Sequence, residues 1–413
     1  RLVLPQLDAW RPQLLEKIST LTGTPVDASQ ITASWQNFGP TLDVRDIQVG
    51  LKDGGKMAVK RVTLALDVWQ SLLHMRWQFR DLTFWQLQVH TNTPIQTNDG
   101  GESLKTDRIS DLFLRQFDHF TLRDSHLSFL TISGQRAELA VPQLTWLNGR
   151  NRHRAEGQLS LSSLTGQHGV MQVRMDLRDE DGLLNKGRVW LQADDIDVKP
   201  WLGRWMQDNI ALKSARFSLE GWMTIEKGDV ASGDVWLKKG GASWQGDDEV
   251  HHLSVDNLTA HLSHDKQSWG FYIPDTRIAI DDKPWPSGAL AMAWIPAQDV
   301  GGDDHQRSDE LRIRASNLTL SGLSGLQPFA DKLAPSLGEL WRTTQPSGKI
   351  NLLALDIPLQ ATEKTRFQAQ WSDLAWKQWK LLPGAEHFSG SLNGSVEHGE
   401  LRARMTQALM PYT

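Results

Sequence analysis

The chain has 413 residues, with 44 Lys and Arg against 49 Asp and Glu and no cysteine. A net charge of −5 with both signs scattered along the chain lacks the basic stripe of a nucleic-acid binder, so nucleic acid is not an expected partner. The absence of cysteine removes disulfides, thiolate metal sites and cysteine nucleophiles, and no window reaches 18 consecutive apolar residues, so no stretch reads as a membrane-spanning helix.

The sequence opens on RLVLPQLDAW without an initiator methionine and stops at LMPYT just after the alternating Leu401, Ala403 and Met405. The expectation is a fragment whose missing N-terminus could hold a signal or a membrane anchor. Residues 5 to 21 place Leu7, Trp10, Leu14, Leu15, Ile18 and Leu21 at i, i+3, i+4 spacing before Gly23 and Pro25, which predicts an amphipathic helix. From about residue 40 the period changes to two. Val62, Leu64, Leu66 and Val68 share one face of a first strand, and Met75, Trp77 and Phe79 share one face of a second beyond a break at 69 to 73. Leu82 and Phe84 continue the series past a kink.

A second helical pattern, Ile109, Leu112, Phe113 and Phe117, interrupts the strands, and short ones follow at KPWLGRWM, 199 to 206, and LQPFADKLAPSLGELW, 326 to 341. Between and after them the alternation resumes: Leu159 and Leu161, Val173 and Met175, Val189 and Leu191, Phe217 and Leu219, and Val235 and Leu237. It continues with Leu253 and Val255, Phe271 and Ile273, Leu311 and Ile313, and Leu353 and Leu355. Turn signals such as KDGG, NDGG and DEDG separate many of these segments, which predicts antiparallel strands with one apolar and one wetter face. Nineteen Trp against two Tyr suit cross-strand packing in such sheets.

One loose pattern recurs: apolar, any, Asp or Asn, Ile or Leu, any, apolar. Its polar residue is Asp46, Asp81, Asp195, Asn257, Asn317 or Asp373, with a Gln variant at Gln143. From 81 onward these positions stand 62, 52, 62, 60 and 56 residues apart. Apolar residues three apart fall on opposite faces of a regular strand, so keeping both on one face requires a bulge or bend, which Asp and Asn accommodate.

Catalytic signatures are absent. GLKDGGKM, Gly50 to Met57, spaces its glycines and lysine like a phosphate loop, but Met57 replaces the metal-holding hydroxyl and no helix follows. His251, His252, His261 and His264 cluster in sequence and read as exposed histidines, and Asp281 and Asp282 read as solvated loop charge. No enzyme, cofactor or metal is called for. Roughly twenty strands would form an open sheet about 90 to 100 Å long, well beyond the ~10 strands at which open sheets curl, split or close. Something must cover its apolar side: a second sheet, the same sheet, or a ligand.

The runs ASWQNFGPTLDVRDI at 33 to 47, RVTLALDVWQSLLHMRWQFRDLTFWQLQV at 61 to 89, FLRQFDHF at 113 to 120 and SSLTGQHGVMQVRMDLRD at 162 to 179 resemble the N-terminal part of a large AsmA-like envelope protein of Gram-negative bacteria. RVWLQADDID at 188 to 197 and WKQWKLLPGAEHFSGSL at 376 to 392 extend the likeness. The resemblance implies a bridge-like lipid transport protein: an elongated, curved antiparallel β-groove of repeated strand units. Residues 1–120 would form a chorein-like helix with the first strands, and 121–413 further groove units. It also implies non-enzymatic phospholipid transport across the periplasm, upkeep of the outer-membrane permeability barrier, inner-membrane anchoring, and envelope protein partners at either membrane. The alternative is a scaffold assisting envelope assembly, with a dry, self-filled core. On the groove reading the aliphatic and aromatic pairs named above, from Val62 to Leu355, face the acyl chains.

Overall fold

The computed structural model describes residues 11–22, 25–36, 39–51, 54–75, 78–94, 111–130, 136–160, 170–199, 212–265, 268–285, 287–297, 309–328, 331, 335–381, 383–395 and 398–405. Strands dominate, as the period of two predicts. The chain divides into two compact units, Arg1–Ile196 with Trp222–Val230, and Asp197–Gly221 with Ala231–Thr413.

In the first unit helix α1 (Arg11–Thr22) precedes β1 (Val26–Asp27), β2 (Gln30–Gln36), β3 (Gly39–Gly50) and β4 (Lys56–Leu66). Helix α2 (Val68–His74) joins β4 to β5 (Phe79–Pro94), and a π-helical turn at Leu112–Gln116 leads into β6 (His119–Leu130). Four further strands follow: β7 (Arg136–Asn148), β8 (Arg152–Ser160), β9 (Val170–Arg178) and β10 (Lys186–Asp197). Each strand from β3 onward pairs with the next, and β1 and β2 lie end to end on the free edge of β3. Among the described residues β10 does not return to that edge, so the sheet is open.

Among the described pairings, the expectation of antiparallel strands throughout fails at one place: β5 and β6 run parallel. A parallel neighbour cannot be reached by a hairpin, and β5 and β6 are accordingly far apart in the chain, ending at Pro94 and beginning at His119. The expected break at 69 to 73 is a helix. Asp67 caps it by accepting the Gln70 N–H at 3.0 Å, and Met75 ends it in a left-handed conformation at φ 54°. Met75 is therefore not a strand residue, and the predicted strand face keeps only Phe79, because Trp77 lies outside the described residues.

β11 (Leu212–Glu226) is divided between the units. The second unit contains β12 (Asp229–Gln245), β13 (Val250–Asp265), β14 (Ser268–Ile273), β15 (Ile278–Ile280), β16 (Lys283–Pro284) and β17 (Leu290–Ile295). β18 (Glu310–Thr319) follows, then a 3-10 stretch at Leu320–Leu326, helix α3 (Pro335–Thr344), β19 (Ser347–Pro358), β20 (Arg366–Trp376), β21 (Ala385–Ser395) and β22 (Gly399–Met405). β14 and β15 are two halves of one broken strand against β13, and from β17 onward consecutive strands pair. The pairings described here are all antiparallel. Asp281 and Asp282, both left-handed, make the tight turn between β15 and β16 that hairpin twist favours.

The recurring Asp/Asn pattern has a backbone cause. Asp46, Asp195, Asn257, Asn317 and Asp373 all sit at φ between 50° and 57°, the left-handed region that Asp and Asn tolerate best. Asp81 and Gln143 do not, but each lies beside a register shift in its ladder. Gln86 and Asp124 take the left-handed conformation instead. The ladders skip Asp46, Lys60, Gln86 and Asp124 on successive strands, and on β7 they skip Pro142, which has no N–H to lose. A line of kinks therefore crosses five strands.

The kinks reset which face each strand presents. Val44 and Ile47, three residues apart, line one cavity, and Val255 and Leu258 share one cluster.

Candidate functional site

The kinked strands keep one face apolar, and the registers align that face into rows running across the strands. In the first unit Val44, Val62, Phe84, Leu122, Leu144, Gly157, Val173 and Leu191 are successive ladder partners from β3 to β10. Gly157 interrupts the side chains for a steric reason: a Cβ there would lie 2.3 Å from the Gln143 carbonyl oxygen. A second row carries Leu42, Leu64 and Leu82 on β3 to β5, and Phe120, Trp146, Ala155, Met175 and Val189 on β6 to β10.

Of the predicted lining residues, Val62, Leu64, Leu82, Phe84, Val173, Met175, Val189 and Leu191 fall on these two rows. Leu66 pairs with Phe79 at the end of β4 and β5, and Leu159 packs against the same core from β8. Leu161 lies outside the described residues. Met75 is 90% exposed.

Under α1 the face is open. A cavity of about 340 Å³ is lined by eighteen residues, all apolar, with Leu15 and Ile18 of α1 on one side and Val44, Ile47, Val59 and Val62 among those on the other. Sequence reasoning placed α1 but missed its role over the sheet. Of the predicted helix, residues 5–10 lie outside the described residues.

Beside the cavity the face is filled by the chain itself. Phe113 of the π-helical turn meets Phe84 and Phe120 with ring centroids 5.1 Å apart in each case, and Phe117 meets Phe79 at 5.5 Å. Asn148 fastens the turn. Its Nδ2 donates to the carbonyls of Phe113 at 2.6 Å and Phe117 at 2.8 Å, while its Oδ1 accepts from Trp146 Nε1 at 2.7 Å. His153 Nδ1 lies 2.7 Å from the same oxygen, and its Nε2 is 3.1 Å from Asp179.

In the second unit Leu262, Phe271, Met292, Ile313, Leu355 and Phe367 form one row of ladder partners. Ile273, Leu290, Ala315, Leu353, Ala369 and Leu392 form the next. Trp294, Leu311 and Ile357 begin a third. Predicted Phe271, Ile273, Leu311, Ile313, Leu353 and Leu355 all lie on these rows. Phe217, Leu237 and Leu253 pack on the cluster of Val255, Leu258, Ala260 and Ile273, Val235 pairs with Ala260, and Leu219 is half-buried on β11. The face is incompletely covered: Phe271 is 37% exposed, Met292 37% and Trp294 36%.

Charge sits on the opposite face. Arg61 bonds Asp43 at 2.7 Å, Arg152 pairs with Asp176, and Arg174 with Glu156 at 3.1 Å, each across neighbouring strands. The Arg152 bond holds the Asp176 carboxyl below its ordinary range against partial burial. The histidines are paired rather than free: on this face His252 lies 3.2 Å from Asp282 and His261 bonds Asp234, while His251, expected to be exposed, is mostly buried beside Trp244 on the apolar side and lies 2.8 Å from Asp281. Asp281 is thus a structural acceptor, not merely solvated. Burial pushes its carboxyl up, but the His252 N–H and the His251 ring outweigh that and hold it below the ordinary range. Among the described residues no cluster of His and carboxylates is arranged to hold a metal ion, and no described helix is long and apolar enough to cross a membrane.

A family profile described as YhdP protein matches residues 1–413. The "Intermembrane phospholipid transporter YhdP" of Escherichia coli (strain K12) is 74% identical over 412 residues, which cover 100% of this chain and 32% of the relative. The chain thus spans about a third of the length of that curated relative. No solved structure matches it.

Proposed function

The chain belongs to the YhdP protein family, and from that premise we propose that it forms one stretch of a non-enzymatic conduit for phospholipids between the two membranes of the Gram-negative envelope. Acyl chains lie on the apolar rows and headgroups stay in water. The stretch lies in the periplasm, held to the inner membrane by other parts of the full-length protein. The observation that carries this reading is the row of Phe271, Met292 and Ile313, an apolar surface running across strands that the chain leaves partly uncovered.

The energetics favour such a surface. At ~0.8 kcal/mol per methylene, exposing two acyl chains to water costs on the order of 20 to 25 kcal/mol. Rows of near-equivalent apolar positions remove most of that cost at every point along the path. They need no convergent polar groups, and eighteen apolar residues line the cavity without one. Such a surface supplies no driving force, so direction comes from a gradient or a partner.

A scaffold with a dry, self-filled core would behave differently. The Phe113 and Phe117 cluster is self-filled, but the adjoining cavity and the second unit's rows are not. The test is the phospholipid that purifies with the chain, extracted and counted by mass spectrometry. Ile313→Asp with Leu355→Asp places two charges where they are poorly solvated. The pair should lower lipid content several-fold with unchanged far-ultraviolet circular dichroism; lipid-free wild type, or equal lipid in both, contradicts the reading.

A further inference from the structure

Helix α2 is built inside out. Trp69, Leu72 and Leu73 stand at i, i+3 and i+4, the spacing of a core-facing stripe, yet they are 72%, 63% and 78% exposed, and Met75 just beyond is 90% exposed. The face turned to the protein holds half-buried Val68 and Ser71, and it is fastened by polar bonds. Ser71 Oγ donates to the Asp67 carbonyl at 2.6 Å and accepts the Gln78 N–H at 2.9 Å. With Asp67 capping the first turn, these bonds fix the helix rotation, so the outward stripe is set by the fold.

We propose that this stripe is a contact for a phospholipid bilayer surface, an inference that rests on the function proposed above. Three observations choose a bilayer over a protein. The helix joins the ends of β4 and β5, where Leu66 pairs with Phe79, so the stripe continues the apolar face at its rim. Residues 68 to 75 contain no acid to be repelled by anionic headgroups, and the adjacent Asp67 is occupied as the cap. Four side chains also fall far short of the roughly 20–30 residues per side that a stable protein interface uses. In a bilayer, by contrast, each apolar side chain gains from burial independently, and Trp suits the interfacial zone. Lipid leaving a bilayer here would meet the conduit without crossing water.

The natural absence of cysteine allows a single environment-sensitive label. Attached at Leu73→Cys, a nitrobenzoxadiazole dye should shift blue and brighten by at least about twofold when vesicles of phosphatidylethanolamine and phosphatidylglycerol are added. The same dye at His74→Cys, exposed on the side of the helix away from the stripe, should not respond. Trp69→Ser with Leu72→Asp should lower vesicle co-sedimentation by about tenfold, a change of about 1.4 kcal/mol, with an unchanged circular dichroism spectrum. An unresponsive dye at position 73, equal responses at 73 and 74, or a response to lipid-free soluble protein instead of vesicles overturns the proposal. Phospholipid purifying with wild type and variants is counted in parallel: wild type that retains lipid but makes no vesicle contact refutes the bilayer contact alone, whereas lipid absent from wild type refutes the conduit.

Discussion

Asn257 tests whether the left-handed kinks shape the apolar face. It sits at φ 57° between Val255 and Leu258, each 5% exposed and packed in one cluster. Its Oδ1 accepts from Trp236 Nε1 at 2.7 Å. Asn257→Gly removes that exposed hydrogen bond, worth about 1 kcal/mol, but leaves a residue at ease with positive φ. Asn257→Val loses the same bond and adds about 1–2 kcal/mol for a left-handed, β-branched residue. Straightening the strand would relieve the strain only by turning Val255 or Leu258 to water, which costs about 1.5–3 kcal/mol. The kink therefore persists under strain. The valine variant should lose about 2–3 kcal/mol and the glycine variant about 1 kcal/mol, read from urea midpoints at a common slope. Equal losses, or a larger loss for glycine, would refute the claim that backbone handedness at this position holds the two residues on one face.

Asn148→Ala should destabilise the first unit by about 2–4 kcal/mol, because the Phe113 and Phe117 carbonyls and the Trp146 N–H lose their shared partner; thermal unfolding followed by aromatic circular dichroism measures it. The pair of Asp118 and His119 gives a pH signature. The bond to Asp118 raises His119 above its ordinary 6.5, against burial. Burial pushes Asp118 up, but the His119 ring and the Phe79 N–H bring it below its ordinary 3.8. The histidine contribution is complete below 6.5 and fades as pH rises through its raised folded value; the carboxylate contribution is complete above 3.8 and fades as pH falls through its lowered one. The stability difference between wild type and Asp118→Asn should therefore peak between those limits and shrink on both sides, and a difference independent of pH would contradict it.

The period-two alternation made most strands legible because burial of one face imposes it directly. Five of the seven marked kinks were legible for an equally local reason: Asp and Asn tolerate the left-handed region. Gln86 was readable too, since Phe84, Gln86, Leu87 and Val89 repeat the Gln variant of the pattern. Asp124 was hidden because Ser125 stands where an aliphatic residue would complete the motif. Ser125 is fully buried yet satisfied, donating to the Arg123 carbonyl at 3.1 Å and accepting the Leu87 N–H at 3.3 Å. The parallel pairing of β5 and β6 depends on a non-local return that alternation does not encode. Helix α2 is too short for its period to register, and its reversed polarity makes Trp69 and Leu73 look like a strand break. The cavity under α1 arises from packing between an element and a sheet that the sequence shows only separately.

The central claim is that acyl chains lie on the rows and nowhere else on the sheet. A photo-activatable benzoylphenylalanine at Met292, on the exposed row between Phe271 and Ile313, should capture phospholipid, detected by mass spectrometry of the cross-linked chain. The same group at Ala291, the next residue on β17 and on the opposite face, should capture none. Equal capture at both positions, or none at Met292, would contradict the account.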